Sequence, residues 1–149
     1  MTLWRISNHV TLTGEGARRA SGRWHTKGRP IVYCASTPAA ALLEILAHFE
    51  ISVPDLPRRY RLLKLHAPDD LAVEHVSITD LPDDRVESAE TTRMLGDEWL
   101  AKGRASLLTV PSAIIPETIN VLLNPSHRDA ARVIVTKISE HALDPRLFT

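Results

Sequence analysis

Strand-length apolar runs fenced by proline, glycine or asparagine recur along this chain, and only two stretches are long enough for helices of several turns. That pattern limits the fold more than any other feature. "IVYCAS" (Ile31 to Ser36) is rich in β-favouring types and lies between Pro30 and Thr37-Pro38, which predicts a buried strand with Tyr33 on the face of Ile31 and Ala35. "RYRLLKLHA" (Arg59 to Ala67) alternates, with Tyr60, Leu62, Lys64 and His66 on one side and Leu63 and Leu65 on the other, as a half-buried strand does. Leu3 to Ser7, Leu71 to Ile78, Ala105 to Ser112, Asn120 to Pro125 and Ala131 to Ile138 read as further strands, with "NPSH" as the turn before the last.

Between them, Thr37 followed by Pro38 marks a helix start: the hydroxyl accepts an orphan amide, and proline at the first helical position sacrifices no bond. This helix is expected to reach Phe49 or Glu50. A second is expected over Glu87 to Gly103, weakened at Gly96 and stopped by Gly103. "EGARRASG" (Glu15 to Gly22) is expected to form a turn of helix closed by Gly22. Six or seven strands with two or three helices in irregular order predict an α+β fold, with mixed β-sheet flanked by helices, rather than a doubly wound α/β one. No internal repeat or linker divides the sequence, so one domain over residues 1–149 is expected.

Charge and composition remove several function classes. Eighteen basic residues cancel eighteen acidic ones, which disfavours direct binding of nucleic acid by this chain. Cys34 is the single cysteine, so an intrachain disulfide framework is excluded and a reducing cytoplasm is the expected compartment. The N-terminus has no basic segment followed by an apolar one, and the longest apolar run, Pro38 to Phe49, is short and broken by Glu44 and His48. No membrane association is expected. Dinucleotide-fold, P-loop, zinc and hydrolase-elbow motifs are absent, and the histidines show no ligand spacing, so no metal site is expected.

The residue that most needs an explanation is Glu44. Leu42, Ile45, Leu46 and Phe49 supply apolar bulk, while Ala40, Glu44, Ala47 and His48 lie near one another at helical spacing. Two readings stand: Glu44 faces solvent or pairs with His48 one turn on, or it lines a cleft that its small neighbours leave open. Tyr33 ends the strand feeding this helix and is placed to border the same cleft. Arg23, in a loop flanked by Gly22 and Gly28, would offer a guanidinium for an anion there. Each also has a plain structural reading, a solvated loop charge and a core aromatic. Ser112, after Pro111, is most simply a strand-ending turn residue.

Taken in order, "WRI" (Trp4 to Ile6), "SGRWHTKG" (Ser21 to Gly28), "VYCASTPAAALLEILAH" (Val32 to His48), "LGDEWLAKG" (Leu95 to Gly103), "LLTVPSAIIP" (Leu107 to Pro116) and "NVLLNPSH" (Asn120 to His127) resemble the RES domain family. The resemblance covers nearly the whole chain and rests on the ordered set rather than on any one piece. It implies a fold similar to that of ADP-ribosyltransferases and a toxin of a type II toxin-antitoxin pair, with NAD+ as substrate and no separate cofactor. The activity it implies is NAD hydrolysis, phosphorolysis or ADP-ribosyl transfer. The implied partner is an Xre-type helix-turn-helix antitoxin that covers the active site and carries the DNA contact, with homodimers among the assemblies such toxins form. The family's arginine, tyrosine, glutamate and serine fall on Arg23, Tyr33, Glu44 and Ser112. Arg5, Ser36 and Asn120 are further candidates for substrate binding. Trp24 and His25 stand where many relatives carry another aromatic and an asparagine, so His25 takes no role from them. The alternative from another class is a noncatalytic nucleotide- or partner-binding module.

Overall fold

Thr37 and Pro38 start the first helix as their chemistry dictates: the Thr37 hydroxyl accepts the Ala40 amide at 3.0 Å and its carbonyl accepts that of Ala41 at 3.1 Å. The computed structural model describes residues 1–48 and 58–148. Among these residues seven strands, β1 (Thr2–Ile6), β2 (Val32–Ala35), β3 (Arg59–His66), β4 (Val73–His75), β5 (Leu107–Pro111), β6 (Ile119–Leu123) and β7 (Ile134–Ala142), form one sheet in the order β4-β5-β6-β2-β1-β3-β7. Among these described strands β4 and β5 run parallel, and the other neighbouring pairs are antiparallel. Helices α1 (Pro38–His48) and α2 (Glu90–Lys102) complete an α+β architecture with a mixed sheet, as expected.

Strand alternation sorts the core onto two faces. Val32 and Cys34 of β2 join Leu3, Leu63, Leu65, Leu107, Val121 and Leu123 in one buried cluster, with Val73 and Val135 packed against it, so all seven strands contribute to that face. The opposite face carries α1 and α2. Ile31, Leu108, Val110 and Leu122 pack there with Trp99 of α2 and Trp24, while Ala35 packs with Ala40 and Ala41 of α1 beside Trp4 and Ile6. Tyr33, between Ile31 and Ala35, lies on the helix-bearing face.

Several boundaries differ from the sequence expectation. The N-terminal turn is a 3-10 helix over Glu15–Arg18 that ends at Arg19; Gly22 instead donates its amide to the His25 carbonyl at 3.1 Å and starts the next loop. Ala130–Arg132 form a 3-10 turn, so β7 begins at Ile134 and extends past Ile138 to Ala142, pairing with β3 along its length. That pairing is set by β3, which no local pattern in β7 reveals. Gly103 adopts φ 59 and returns its amide to the Trp99 carbonyl at 3.1 Å, closing α2 where expected. Asn124 accepts the Ser126 amide on its side chain and the His127 amide on its carbonyl, which builds the "NPSH" turn. The expected end of α1 at Phe49 or Glu50 lies outside the described residues.

Candidate active site

Residue pairing in the sheet brings distant parts of the sequence under α1. Ala35 lies opposite Asn120, and Asn120 opposite Val110, so the Asn120 side chain shares the helix-bearing face with Ala35 and Val110. Ser112 follows at the end of the Leu108, Val110 alternation on β5. Glu44 reaches both from α1: its Oε1 accepts a bond from the Ser112 hydroxyl at 2.6 Å and from Asn120 Nδ2 at 2.9 Å. The sequence separations are 68 and 76 residues. Glu44 is thus neither a fully solvated charge nor fully buried; its Oε2 makes no bond to any described residue, and the side chain of His48 lies outside the described residues.

The Ser112 hydroxyl is fully used. It donates to Glu44 and accepts the backbone amides of Ile114 at 3.1 Å and Ile115 at 3.3 Å, within a residue that is only 3% exposed. A hydroxyl has one proton and two lone pairs, so this arrangement leaves none for another partner. Ser112 is therefore more than a turn residue. Its donor polarity is fixed by the two amides behind it.

Tyr33 is held by a separate cluster. His25, buried, faces the carbonyls of Ala17 at 2.8 Å and Ala20 at 3.0 Å with Nε2, which must therefore carry a proton. In the neutral ring Nδ1 then accepts the Tyr33 hydroxyl at 2.7 Å, and the same phenolic oxygen accepts the Trp24 amide at 3.0 Å. The Tyr33 hydroxyl is committed to this loop, which leaves its ring as the part that can meet a ligand. Its Cα sits two residues before Ala35 on β2, on the same face as Asn120.

Arg23 does not meet Glu44. Its guanidinium donates to the Arg85 carbonyl at 2.8 Å and to the Val86 carbonyl at 3.4 Å, while its own carbonyl accepts the Thr92 hydroxyl. Arg93 Nε donates to the Gly22 carbonyl at 2.7 Å, and Asp97 accepts both the amide and the hydroxyl of Thr26. These contacts fasten the loop from Gly22 to Thr26 onto α2. Arg5 also stands apart: alternation along β1 puts it on the side of Leu3, opposite Trp4 and Ile6, and its Nη1 donates to the Tyr33 carbonyl at 2.9 Å. The β1–β2 register holds the single pair Trp4↔Ala35, and the guanidinium satisfies the Tyr33 carbonyl there. Ser36 is exposed in the turn from β2 to α1.

His25, Arg93 and Asp97 are the residues that the sequence left without a role in shaping this region. Gly96 was the available signal, because a glycine inside a helix often marks a close approach of another segment. Two concavities, of about 580 and 560 Å³, lie elsewhere along α2 and beside the turn at Asn124, and neither is lined by Glu44, Ser112 or Asn120. The convergence of donors on one carboxylate, rather than volume, singles out the Glu44 cluster.

Burial pushes the Tyr33 hydroxyl up to about 12, with the Trp24 amide opposing part of that rise, and pushes the Cys34 thiol up to about 11. Ordinary values are 10.0 and 9.0, so the folded chain keeps both protons over a range where the unfolded chain loses them. The stability they contribute is complete below about pH 9 and declines as pH rises through about 12. The urea midpoint is expected to fall across that window. Tyr33→Phe is expected to remove the upper part of the fall and to cost about 1–3 kcal/mol at neutral pH, since it leaves the Trp24 amide and His25 Nδ1 without their partner. Urea titrations of both chains at a series of pH values check both effects.

The mixed sheet with α1 and α2 on one face fits an ADP-ribosyltransferase-like α+β fold, as do the likenesses of this chain to known toxins. It superimposes with a TM-score of 0.76 on a chain of the Mycobacterium tuberculosis MbcT-MbcA toxin-antitoxin complex, at 21% identity over 98% of this chain and 85% of that one. The RES domain matches residues 2–144. The chain is 43% identical to a protein named Toxin Res from Pseudomonas putida, covering 99% of this chain and all of that protein. It is 33% identical to the Prs ADP-ribosylating toxin of a Sphingobium species, covering 99% and 96% of the two chains. The chain belongs to the RES domain family.

Proposed function

We propose that this chain is the toxin of a toxin-antitoxin pair and that it cleaves the bond between nicotinamide and ribose in NAD+. Its curated relatives carry toxin names, and one of them an ADP-ribosylating one. The observation that carries the reading is the Glu44 carboxylate, held through one oxygen by Ser112 and Asn120 while the other makes no bond to any described residue. Departure of nicotinamide leaves positive charge on the ribose, and the leaving group is neutral, so the reaction needs a placed negative charge more than an acid. Glu44 supplies that charge. The Tyr33 ring packs against the nicotinamide riboside, its hydroxyl being engaged by His25 and Trp24. Arg23 acts by fixing the loop at Arg85 and Val86 rather than by touching Glu44.

The acceptor of ADP-ribose is water, phosphate or a protein side chain. The partner that restrains the toxin is an antitoxin of the Xre-type helix-turn-helix class that covers Glu44 and its surroundings, and the cytoplasm, where NAD+ is available, is its place of action. Among the described residues no helix is long and apolar enough to cross a membrane.

Purified chain incubated with NAD+ tests the reading directly. Release of nicotinamide is expected, with ADP-ribose as product if water is the acceptor, ADP-ribose 1″-phosphate if phosphate is, and a labelled protein from a lysate if transfer is the reaction. Unchanged NAD+ under all three conditions overturns it and leaves a noncatalytic binding module.

A further inference from the structure

Asn120 presents a physical problem. Its Nδ2 donates to Glu44 Oε1 at 2.9 Å, but its Oδ1 is buried and has no partner among the described residues. A buried acceptor without a partner destabilises a fold, and an apolar side chain of similar size would avoid that cost. Turning the amide over would set Oδ1 against the carboxylate, so Glu44 fixes the orientation that strands the oxygen. With Oδ1 closed off and one Nδ2 proton held by Glu44, the second Nδ2 proton is all that Asn120 has left to offer a substrate. Its backbone, meanwhile, is among the most constrained in the molecule: β6 pairs with β2 on one side and β5 on the other, and Asn120 is registered against both Ala35 and Val110.

We infer that Asn120 is a positioning residue for Glu44, retained at a cost in stability, and that it acts on the reaction only through that carboxylate. Two donors from different places in the sheet, Ser112 at the end of β5 and Asn120 in β6, converge on the same oxygen. One bond alone would let the carboxylate swing about it; two from separate directions fix its plane and leave Oε2 as the atom that meets the sugar. Asn120 therefore limits the rotation of a group on α1 using the rigidity of the central sheet. The inference rests on the reading of Glu44 as the charge that stabilises the ribose cation, and it moves Asn120 from the substrate-binding set to the supporting one.

The test uses the full chain with Asn120→Leu, which removes the donor and the stranded acceptor together. The thermal midpoint is expected to stay at or above that of the wild type, kcat for nicotinamide release to fall by about 10- to 100-fold, and KM to stay within about twofold. A KM raised tenfold or more with kcat unchanged would make Asn120 a substrate contact, and a midpoint that drops in parallel with activity would make it merely structural; either result overturns the inference. A second arm needs no turnover. In nitrogen-proton NMR spectra of the wild-type chain, one Asn120 side-chain amide proton is expected to lie downfield and exchange slowly, and in Glu44→Ala to lose both properties. An unchanged resonance would overturn the clamp even if NAD+ were consumed, whereas a changed resonance in a chain that leaves NAD+ intact would preserve the clamp and remove the proposed reaction.

Discussion

Glu44→Ala is expected to lower nicotinamide release by roughly 10²–10³-fold, the scale on which removing one preorganised electrostatic group acts. The same change strands the Ser112 hydroxyl and the Asn120 amide, at a cost of about 1–3 kcal/mol in stability. Activity loss alone would therefore not separate chemistry from folding. Glu44→Gln separates them, because a glutamine oxygen still accepts both bonds while the charge is gone. This variant should unfold at a urea concentration close to the wild-type value and yet be about as inactive as Glu44→Ala. A Glu44→Gln chain that consumed NAD+ at the wild-type rate would remove Glu44 from the reaction.

Gly96→Ala is expected to be the most destabilising single change on α2. A Cβ at this position would stand 1.7 Å from the Trp24 carbonyl oxygen and 2.7 Å from its carbonyl carbon, both backbone atoms with no rotamer to change. The helix would have to move off the loop that holds Trp24, His25 and Thr26, although alanine is the better helix former. Overpacking against rigid backbone costs about 3 kcal/mol or more, which for a chain of this size lowers the thermal midpoint by roughly 10 °C. Relief of the contact would also loosen the bonds from Arg93 to Gly22 and from Thr26 to Asp97. A midpoint equal to or above that of the wild type would show that the loop and α2 are not packed in this way.

Much of this is legible in the sequence. The short apolar runs gave the strands because a β-strand is local in its period, and Thr37-Pro38 and Gly103 gave the ends of helices because caps act within a turn. Gly96 was legible only as an oddity: its neighbour, Trp24, is 72 positions away in sequence, and helix propensity carries no information about such a contact. The burial of His25 against Tyr33 was hidden for a related reason. A histidine in a loop with glycines on either side reads as solvated until the loop is folded onto the sheet.

The site divides along the same line. The sequence determined which residues carry charge and hydroxyls, that Glu44 sits in an apolar helix among small neighbours, and that the chain resembles a family in which this pattern recurs. Tertiary structure decided which of them meet. Sheet register, a pairing of strands far apart in sequence, put Asn120 and Ser112 beneath Glu44 and turned an ambiguous helix charge into a clamped one. It also sent Arg23 to the Arg85–Val86 carbonyls and Arg5 to the Tyr33 carbonyl, because a guanidinium satisfies whichever acceptors the fold leaves in its reach, and spacing along a chain does not specify those.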